Sequence, residues 1–277
     1  MRIGISADST CDLSREIIEK YNIHITPITV IVGGEEKKDG VDVTVGELFE
    51  YVEKTGELPK TSALNPEEYG EHFENVLKDN DFCLHFALSF GVSSTGQNAR
   101  LKASQMENVY VIDTKSLSSG SALLILSCID KIAEGKNIET IIKELEQEVE
   151  KVQASFLVDT LKYLHKGGRC SSVALLGANL LQIKPRISLI DGKMQVTKKY
   201  MGSIEKALVK YSSDMLAEVK PNKKRVFVTY SSPVKCVETI KQMLVDYGFE
   251  EVLEAQAGAT IATHCGKKTL GILYIAE

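Results

Sequence analysis

The chain has 277 residues, of which 43% are hydrophobic and 26% charged, so it can form one large or two small folded domains and is neither disordered nor fibrous. Its 33 Lys and Arg residues against 38 Asp and Glu residues give a formal net charge of -5. That charge excludes the broadly basic surface that nucleic-acid-binding proteins usually need, so we expect no nucleic-acid partner.

The first half of the chain alternates short β-rich runs with amphipathic helical patterns. The strand and helix pairs fall at residues 3–7 and 14–21, 82–88 and 95–104, and 109–113 and 118–133. This alternation predicts an α/β/α domain with a mostly parallel sheet. Asp8, Ser89 and Asp113 close these strand runs, and open parallel sheets bind ligands at the carboxyl ends of their strands. We therefore expect this half to carry a binding site.

The pattern changes after a charged amphipathic helix predicted over residues 137–151. We place a domain boundary near residue 152, which gives an N-terminal α/β domain over 1–152 and a C-terminal α+β domain over 153–277. The second half combines a strand at 154–158, a helix that stops at Gly167-Gly168, a hairpin around Asp191-Gly192, and strands at 226–230 and 270–275. This combination predicts a mixed sheet.

The sequence shows no pattern typical of a membrane span, a secretory signal or a metal site. The longest apolar run, around residues 122–129, is far shorter than the ~20 residues that cross a bilayer. We expect a cytoplasmic protein with no stable membrane insertion. The six cysteines form no CxxC pair and are expected to be packed thiols. The five histidines show no HxxxH or HxH spacing, so we expect neither a metal nor another cofactor.

Three consecutive hydroxyl residues, Ser93, Ser94 and Thr95, stand at the start of a predicted helix. They could act as an ordinary N-terminal cap that satisfies the free N–H groups of the first turn. A helix N-terminus with several hydroxyl donors also suits an anion such as a carboxylate or a phosphate. The residues by themselves leave both interpretations open, and they do not require the anion to be a lipid.

A serine hydrolase acting on an acyl ester is the rival interpretation, with Ser93 or Ser94 as the nucleophile. The segment lies between a strand and a helix, as a nucleophile elbow does, but its two glycines are one residue too far apart for GxSxG. His264 would be the base, and the sequence shows no convincing candidate for the acid of a catalytic triad. We expect His264 in a small-residue loop rather than on a helix face, and Arg169 as a helix C-terminal partner or a solvated charge.

Taken together, ordered motifs along nearly the whole chain resemble the DegV family of bacterial fatty-acid-binding proteins. The matching pieces are DSTCDL at 8–13, Thr61-Ser62 with Asn65-Pro66, Ala87-Leu88-Ser89 with Ser93 and Thr95, VIDTKSLSSG at 111–120, FLVDTLKYL at 156–164 with Gly167-Gly168-Arg169, and His264 with Gly266. Several motifs in one order are far more specific than any single motif.

The resemblance implies that a long-chain fatty acid lies in a tunnel between two domains. Hydroxyls of the first domain and a histidine of the second would hold its carboxylate; carried over residue by residue, these are Thr61, Ser62, Ser93, Thr95 and His264. As the remaining hydroxyl of its cluster, Ser94 is a further candidate ligand-binding residue. Family members serve as the binding subunit of a fatty-acid kinase, so the resemblance implies a carrier that is not catalytic alone and a separate kinase subunit as partner.

The apolar segment 173–183 is the candidate wall for the acyl chain. Its small residues Ala174, Gly177 and Ala178 would leave room beside a helix, although such a segment is more often ordinary core. Burying an acyl chain contributes roughly 0.8 kcal/mol per CH₂, so the head group needs orientation more than strong attraction. Hydroxyls, helix N–H groups and an imidazole N–H can hold a carboxylate without a buried cation.

Overall fold

The computed structural model describes residues 1–170 and 183–277. The proposed acyl-chain wall, except its last residue, lies outside the described residues. The helices are α1 (Arg15–Lys20), α2 (Val45–Thr55), α3 (Pro66–Leu77), α4 (Thr95–Ala103), α5 (Ser119–Ala133), α6 (Ile138–Val149), α7 (Lys162–Gly167), α8 (Ile204–Glu218), α9 (Val237–Tyr247) and α10 (Ala259–Cys265). The strands are β1 (Ile3–Asp8), β2 (His24–Thr26), β3 (Thr29–Val32), β4 (Glu35–Lys38), β5 (Lys60–Ser62), β6 (Phe82–Ala87), β7 (Val109–Asp113), β8 (Val152–Leu157), β9 (Ile183–Ile190), β10 (Lys193–Met201), β11 (Pro221–Tyr230), β12 (Glu251–Gln256) and β13 (Leu270–Ala276).

The N-terminal part is built on a parallel sheet with strand order β2-β1-β6-β7, which confirms the prediction from alternating strands and helices. A small antiparallel sheet, β4-β3-β5, packs against α2 and α10 and was not predicted. Its strands are only three or four residues long, and β4 has the sequence EEKK, so they carry no alternating apolar pattern. This small sheet matters for the site because β5 carries Thr61 and Ser62.

The C-terminal part has a six-stranded sheet with order β10-β9-β8-β13-β11-β12. Only β11 and β12 pair in parallel, so the prediction of a mixed sheet is confirmed. The predicted hairpin joins β9 to β10, and both turn residues, Asp191 and Gly192, have positive φ as a type I′ turn requires. Gly168, with φ of 66°, ends α7 as expected. The domain boundary near residue 152 stays a prediction.

Helix α5 joins the two sheets into one apolar core. Its sequence, SGSALLILSCIDKIA, is apolar on nearly every face, which is typical of a helix buried on all sides. Leu123 and Leu124 belong to the same buried cluster as Leu84 of β6, Phe227 of β11 and Leu273 of β13. All six cysteines are buried, in agreement with packing roles. No helix within 1–170 and 183–277 is both long and apolar enough to cross a membrane.

Candidate functional site

A cavity lies between the carboxyl ends of the parallel sheet and the C-terminal sheet, a place where ligands commonly bind. Among the described residues, its apolar wall is formed by Ile28, Ala63, Leu88, Val92, Leu117, Ala154, Phe156, Leu164, Met194, Ala257, Ile261 and Leu273. Its polar groups come from Thr61, Ser62, Ser93, Ser118, Ser155, Arg169, Thr229, Tyr230, Ser231, Thr260, His264 and Thr269. The cavity therefore suits a largely apolar ligand that also carries a polar group.

Four of the predicted site residues line this cavity: Thr61, Ser62, Ser93 and His264. The small sheet supplies Thr61, and the last turn of α10 supplies His264. Their side chains are hydrogen-bonded, with 2.8 Å between Thr61 Oγ1 and His264 Nε2. The fold thus joins two polar groups that are 203 residues apart in the chain and that come from its two halves.

Ser94 and Thr95 lie outside the described cavity lining. Thr95 is completely buried, and its Oγ1 accepts a hydrogen bond from the Leu64 backbone N–H and bonds the Tyr69 hydroxyl at 2.9 Å. Ser94 is exposed and makes no side-chain cap bond at the start of α4. Ser93 Oγ accepts from the Thr95 N–H at 3.2 Å while facing the cavity. The position of Ser93 is therefore compatible with both interpretations, a helix cap and a ligand-binding residue.

The prediction that His264 lies in a loop is wrong, because residues 259–265 form α10. The glycines that suggested a loop stand at the two ends of this helix: Gly258 precedes it and Gly266, with φ of 75°, follows it. The alanines between them are strong helix formers. Thr260 and His264 are four residues apart and so share one helix face, which is the face that lines the cavity.

Burial keeps the His264 ring neutral. Loss of solvent lowers the pKa of His264 from 6.5 to about 4, and the positive charge of Arg169 contributes in the same direction. Its Nδ1 atom is buried without a hydrogen-bond partner in the described part of the chain and faces Gly167, where an added Cβ would lie only 2.5 Å from Nδ1. Gly167 therefore allows α7 to pack directly against the imidazole, which fixes the ring with Nε2 toward Thr61.

We expect the neutral His264 ring to make stability depend on pH. Its folded pKa of about 4 lies below the ordinary value of 6.5. The neutral ring therefore contributes fully to the free energy of unfolding above pH 6.5, and this contribution is lost as the pH falls from 6.5 to 4. The loss is at most about 3 kcal/mol. Urea unfolding of the wild type and His264→Gln between pH 7 and pH 4 measures it, because glutamine cannot titrate; parallel stability curves would contradict the assignment.

Thr260 is a cavity residue that was not predicted from the sequence. Its side chain is 4% exposed, and its Oγ1 has no hydrogen-bond partner among residues 1–170 and 183–277. The signal was present, since Thr260 and His264 have helical spacing, but it was hidden by the loop prediction. Arg169 also lines the cavity, while its Nη1 donates to the carbonyl of Gly167 at the end of α7. The expected helix C-terminal role of Arg169 is therefore present in the structure.

The geometry gives no support to a hydrolase. In residues 1–170 and 183–277, no histidine is hydrogen-bonded to Ser93 or Ser94, and the imidazole of His264 bonds Thr61 instead. Ser93 accepts from a backbone N–H, and Ser94 is exposed and absent from the described cavity lining. A serine nucleophile needs a base within hydrogen-bond reach, and neither serine has one in this arrangement.

Comparison with known proteins gives matches along the whole chain. The family model described as an uncharacterised protein, DegV family, matches residues 2–277. A DegV domain-containing protein of Clostridium perfringens is 30% identical over 100% of this chain and 99% of its own length. The structure of a fatty-acid-binding DegV family protein from Thermus thermophilus has a TM-score of 0.92 at 28% identity, covering 100% of both chains. A stearic-acid-binding protein from Eubacterium ventriosum has a TM-score of 0.87 at 25% identity, covering 99% of this chain and 98% of that one.

Proposed function

The chain belongs to the DegV family, and from this membership we propose that it binds a long-chain fatty acid in the cavity between its two sheets. The observation that carries the proposal is an apolar cavity whose wall includes the half-buried, hydrogen-bonded pair Thr61 and His264. An acyl chain needs the apolar surface, and a carboxylate needs polar donors held together. Proteins of this fold from two other organisms are described as binding fatty acids.

The apolar wall supplies most of the affinity in this proposal. Burying an acyl chain contributes roughly 0.8 kcal/mol per CH₂, so about ten buried methylenes contribute roughly 8 kcal/mol before the cost of ordering the chain. Ala154 and Leu273 line the cavity and also belong to the core cluster around α5. The acyl chain therefore extends from the Thr61–His264 pair toward this buried core.

The head group is oriented through a relay of two side chains. With the proton on Nε2, neutral His264 donates to Thr61 Oγ1, which leaves the Thr61 hydroxyl proton free for a carboxylate oxygen. With the proton on Nδ1, Thr61 would have to donate to the ring and could not serve the ligand. Ser93 keeps its own hydroxyl proton free because it accepts from a backbone N–H, and Thr260 offers an unpartnered hydroxyl.

The carboxylate would then be presented to a separate kinase subunit that transfers a phosphoryl group to it, so that this chain acts as a carrier and not as an enzyme alone. The position of the polar groups supports this step. Ser62 and Arg169 line the cavity and are exposed to solvent, and Ser62 directly follows Thr61 in the chain. A carboxylate bound at Thr61 therefore lies near the rim, where a second protein can reach it.

Extraction of the purified protein with organic solvent, followed by mass spectrometry, tests the proposal. We expect one long-chain fatty acid per chain, bound stoichiometrically after delipidation and reloading. Absence of any acyl chain, together with failure to bind added palmitate, would instead favour a carrier of another anion. A fluorophosphonate label in parallel tests the hydrolase alternative, since covalent labelling of Ser93 or Ser94 requires an activated serine.

Enlarging Ala154 is expected to shorten the acyl chain that the cavity accepts. Ala154 is buried in β8 and lines the cavity, so the three added carbons of leucine would occupy ligand space. We expect Ala154→Leu to bind shorter saturated fatty acids in preference to longer ones, measured by displacement across a series of chain lengths. Ala103→Leu is the control, because Ala103 is buried in α4 away from the cavity lining. That change should cost about 1–3 kcal/mol of stability and leave the length profile unaltered.

A further inference from the structure

Helix α10 carries His264, and its first N–H groups are hydrogen-bonded to two aspartate side chains from the N-terminal part of the chain. The backbone N–H of Gly258 donates to Asp12 Oδ1 at 2.8 Å. The N–H groups of Ala259 and Thr260 donate to the two oxygens of Asp39, at 2.8 and 3.2 Å. These partners are separated by 220 to 246 residues in sequence. The first turn of α10 is thus capped by another part of the molecule.

The helix supplies no cap of its own, because its N-cap residue is Gly258, which has no side chain. The first N–H groups of a helix lack intrahelical acceptors and carry a partial positive charge, so a carboxylate satisfies both needs at once. Burial raises the pKa of Asp12 from 3.8 to about 8, so at neutral pH Asp12 is largely protonated and acts as a hydrogen-bond acceptor without a full negative charge. Asp12 and Asp39 are only 6% and 4% exposed, which strengthens these hydrogen bonds by excluding water. A Cβ at Gly258 would lie 3.1 Å from Asp39 Oδ1 and 3.2 Å from Asp12 Oδ1, so a side chain there would displace the two carboxyl groups by a few tenths of an ångström.

Both carboxylates are themselves held by hydroxyl groups of the N-terminal part. Ser118, which lines the cavity, donates to Asp12, and Ser9 donates to Asp39 Oδ2 at 3.1 Å. Ser9 also accepts from the N–H of Ile28, which is another cavity residue. These contacts fix the two carboxyl groups relative to the cavity wall independently of their hydrogen bonds to α10.

We propose that Asp12 and Asp39 are positioning residues, which anchor α10 on the N-terminal part and thereby hold His264 in hydrogen-bond reach of Thr61. The two aspartates are hydrogen-bonded to the first turn of a helix of seven residues, and His264 lies in its last turn. A short rigid helix transmits a displacement of its first turn to its last. The importance of this geometry for the ligand rests on the proposed function, whereas the geometry itself can be measured without any ligand.

Asp39→Asn tests the proposal. The amide group keeps one acceptor oxygen but replaces the other with a donor, which faces an N–H of α10. We expect the ring of His264 to lose its fixed environment, so nitrogen-15 NMR of the imidazole should show its pKa rising by about one unit or more from about 4 toward 6.5. An unchanged titration and unchanged ring shifts would overturn the proposal and leave Asp39 as a cap that affects stability alone.

Asn137→Ala is the matched control. Asn137 caps α6 by accepting from the N–H of Thr140 at 2.9 Å, and it is absent from the described cavity lining. This variant removes a helix cap elsewhere, so it should leave the His264 titration at its wild-type position.

If Asp39→Asn does not fold, Gly258→Ala gives the second variant: the φ of -69° at Gly258 suits alanine, and the added Cβ would push both carboxyl groups away. It should raise the ring pKa in the same direction, and an unchanged ring would again contradict the proposal.

Palmitate binding separates failure of this inference from failure of the proposed function. We expect Asp39→Asn to weaken palmitate binding about tenfold in the wild-type background and to have much less effect in His264→Ala, because both changes remove the same contact. Fully additive losses would count against a role through His264. If the wild type binds no palmitate, the proposed function fails, while the NMR titration still decides whether the two carboxylates position the ring.

Discussion

In the proposed carrier role, His264→Ala is expected to lower phosphoryl transfer to the bound fatty acid by about a hundredfold, while most of the binding free energy remains. The variant loses the partner of Thr61, and a hydrogen bond in a network that serves a charged group contributes about 1.5–3 kcal/mol. The apolar wall is untouched. Transfer suffers more than binding, because misplacing a reacting group by about 1 Å can cost a hundredfold in rate. Palmitate titrations and acyl-phosphate formation with the cognate kinase subunit measure the two effects separately.

His264→Gln is the matched variant for this experiment. A glutamine amide can place an N–H donor close to the position of Nε2, so it should keep Thr61 oriented and retain part of the transfer activity. His165→Ala serves as a second control, because His165 is exposed in α7 and is absent from the described cavity lining. Full transfer activity in His264→Ala would remove this histidine from the head-group site.

The double variant Thr61→Ala with Ser93→Ala is expected to weaken palmitate binding by about a hundredfold or more. Each hydroxyl is a donor for the carboxylate in the proposed site, and losing one hydrogen bond to a charged group costs about 1.5–3 kcal/mol. Each single change should cost less than the double change, since a second donor remains. Isothermal titration of delipidated protein gives the affinities.

Thermal unfolding of the same variants distinguishes ligand binding from capping. Ser93 accepts from the Thr95 N–H, so Ser93→Ala also removes a local contact at the start of α4. A ligand role predicts lost affinity with little change in melting temperature. A sharp fall in melting temperature with unchanged affinity would favour the capping role alone. Ser104→Ala is the control, because Ser104 lies at the exposed end of α4.

The parallel sheet, the mixed sheet and the main turns follow from local patterns in the sequence. Apolar runs at 3–7, 82–88 and 109–113 are long enough to show a strand signal, and each is followed by a helical pattern. The hairpin at Asp191-Gly192 was predictable because its turn needs two residues that accept positive φ. Strand patterns, helix patterns and turn residues depend on residues that are adjacent in the chain, so they can be identified from the sequence alone.

Helix α10 and the small sheet were not accessible by the same reasoning. The strands β3, β4 and β5 are too short to show a period, and pairing with each other stabilises them. Helix α10 is seven residues long and flanked by glycines, and isolated helices of that length are unstable in water. Its first turn is completed by Asp12 and Asp39, which no local pattern near residue 258 reveals.

Residue types determined which groups could hold an anion, and the tertiary structure decided which of them meet. The resemblance to the DegV family implied a role for Thr61, Ser93 and His264, and the fold brings all three to one cavity. Thr95 belongs to the same hydroxyl run as Ser93, yet packing turns it toward Tyr69. The reason is that a side chain's partners depend on how separate elements dock, which involves contacts across 203 residues for Thr61 and His264. Sequence spacing along one strand or helix contains no record of that docking.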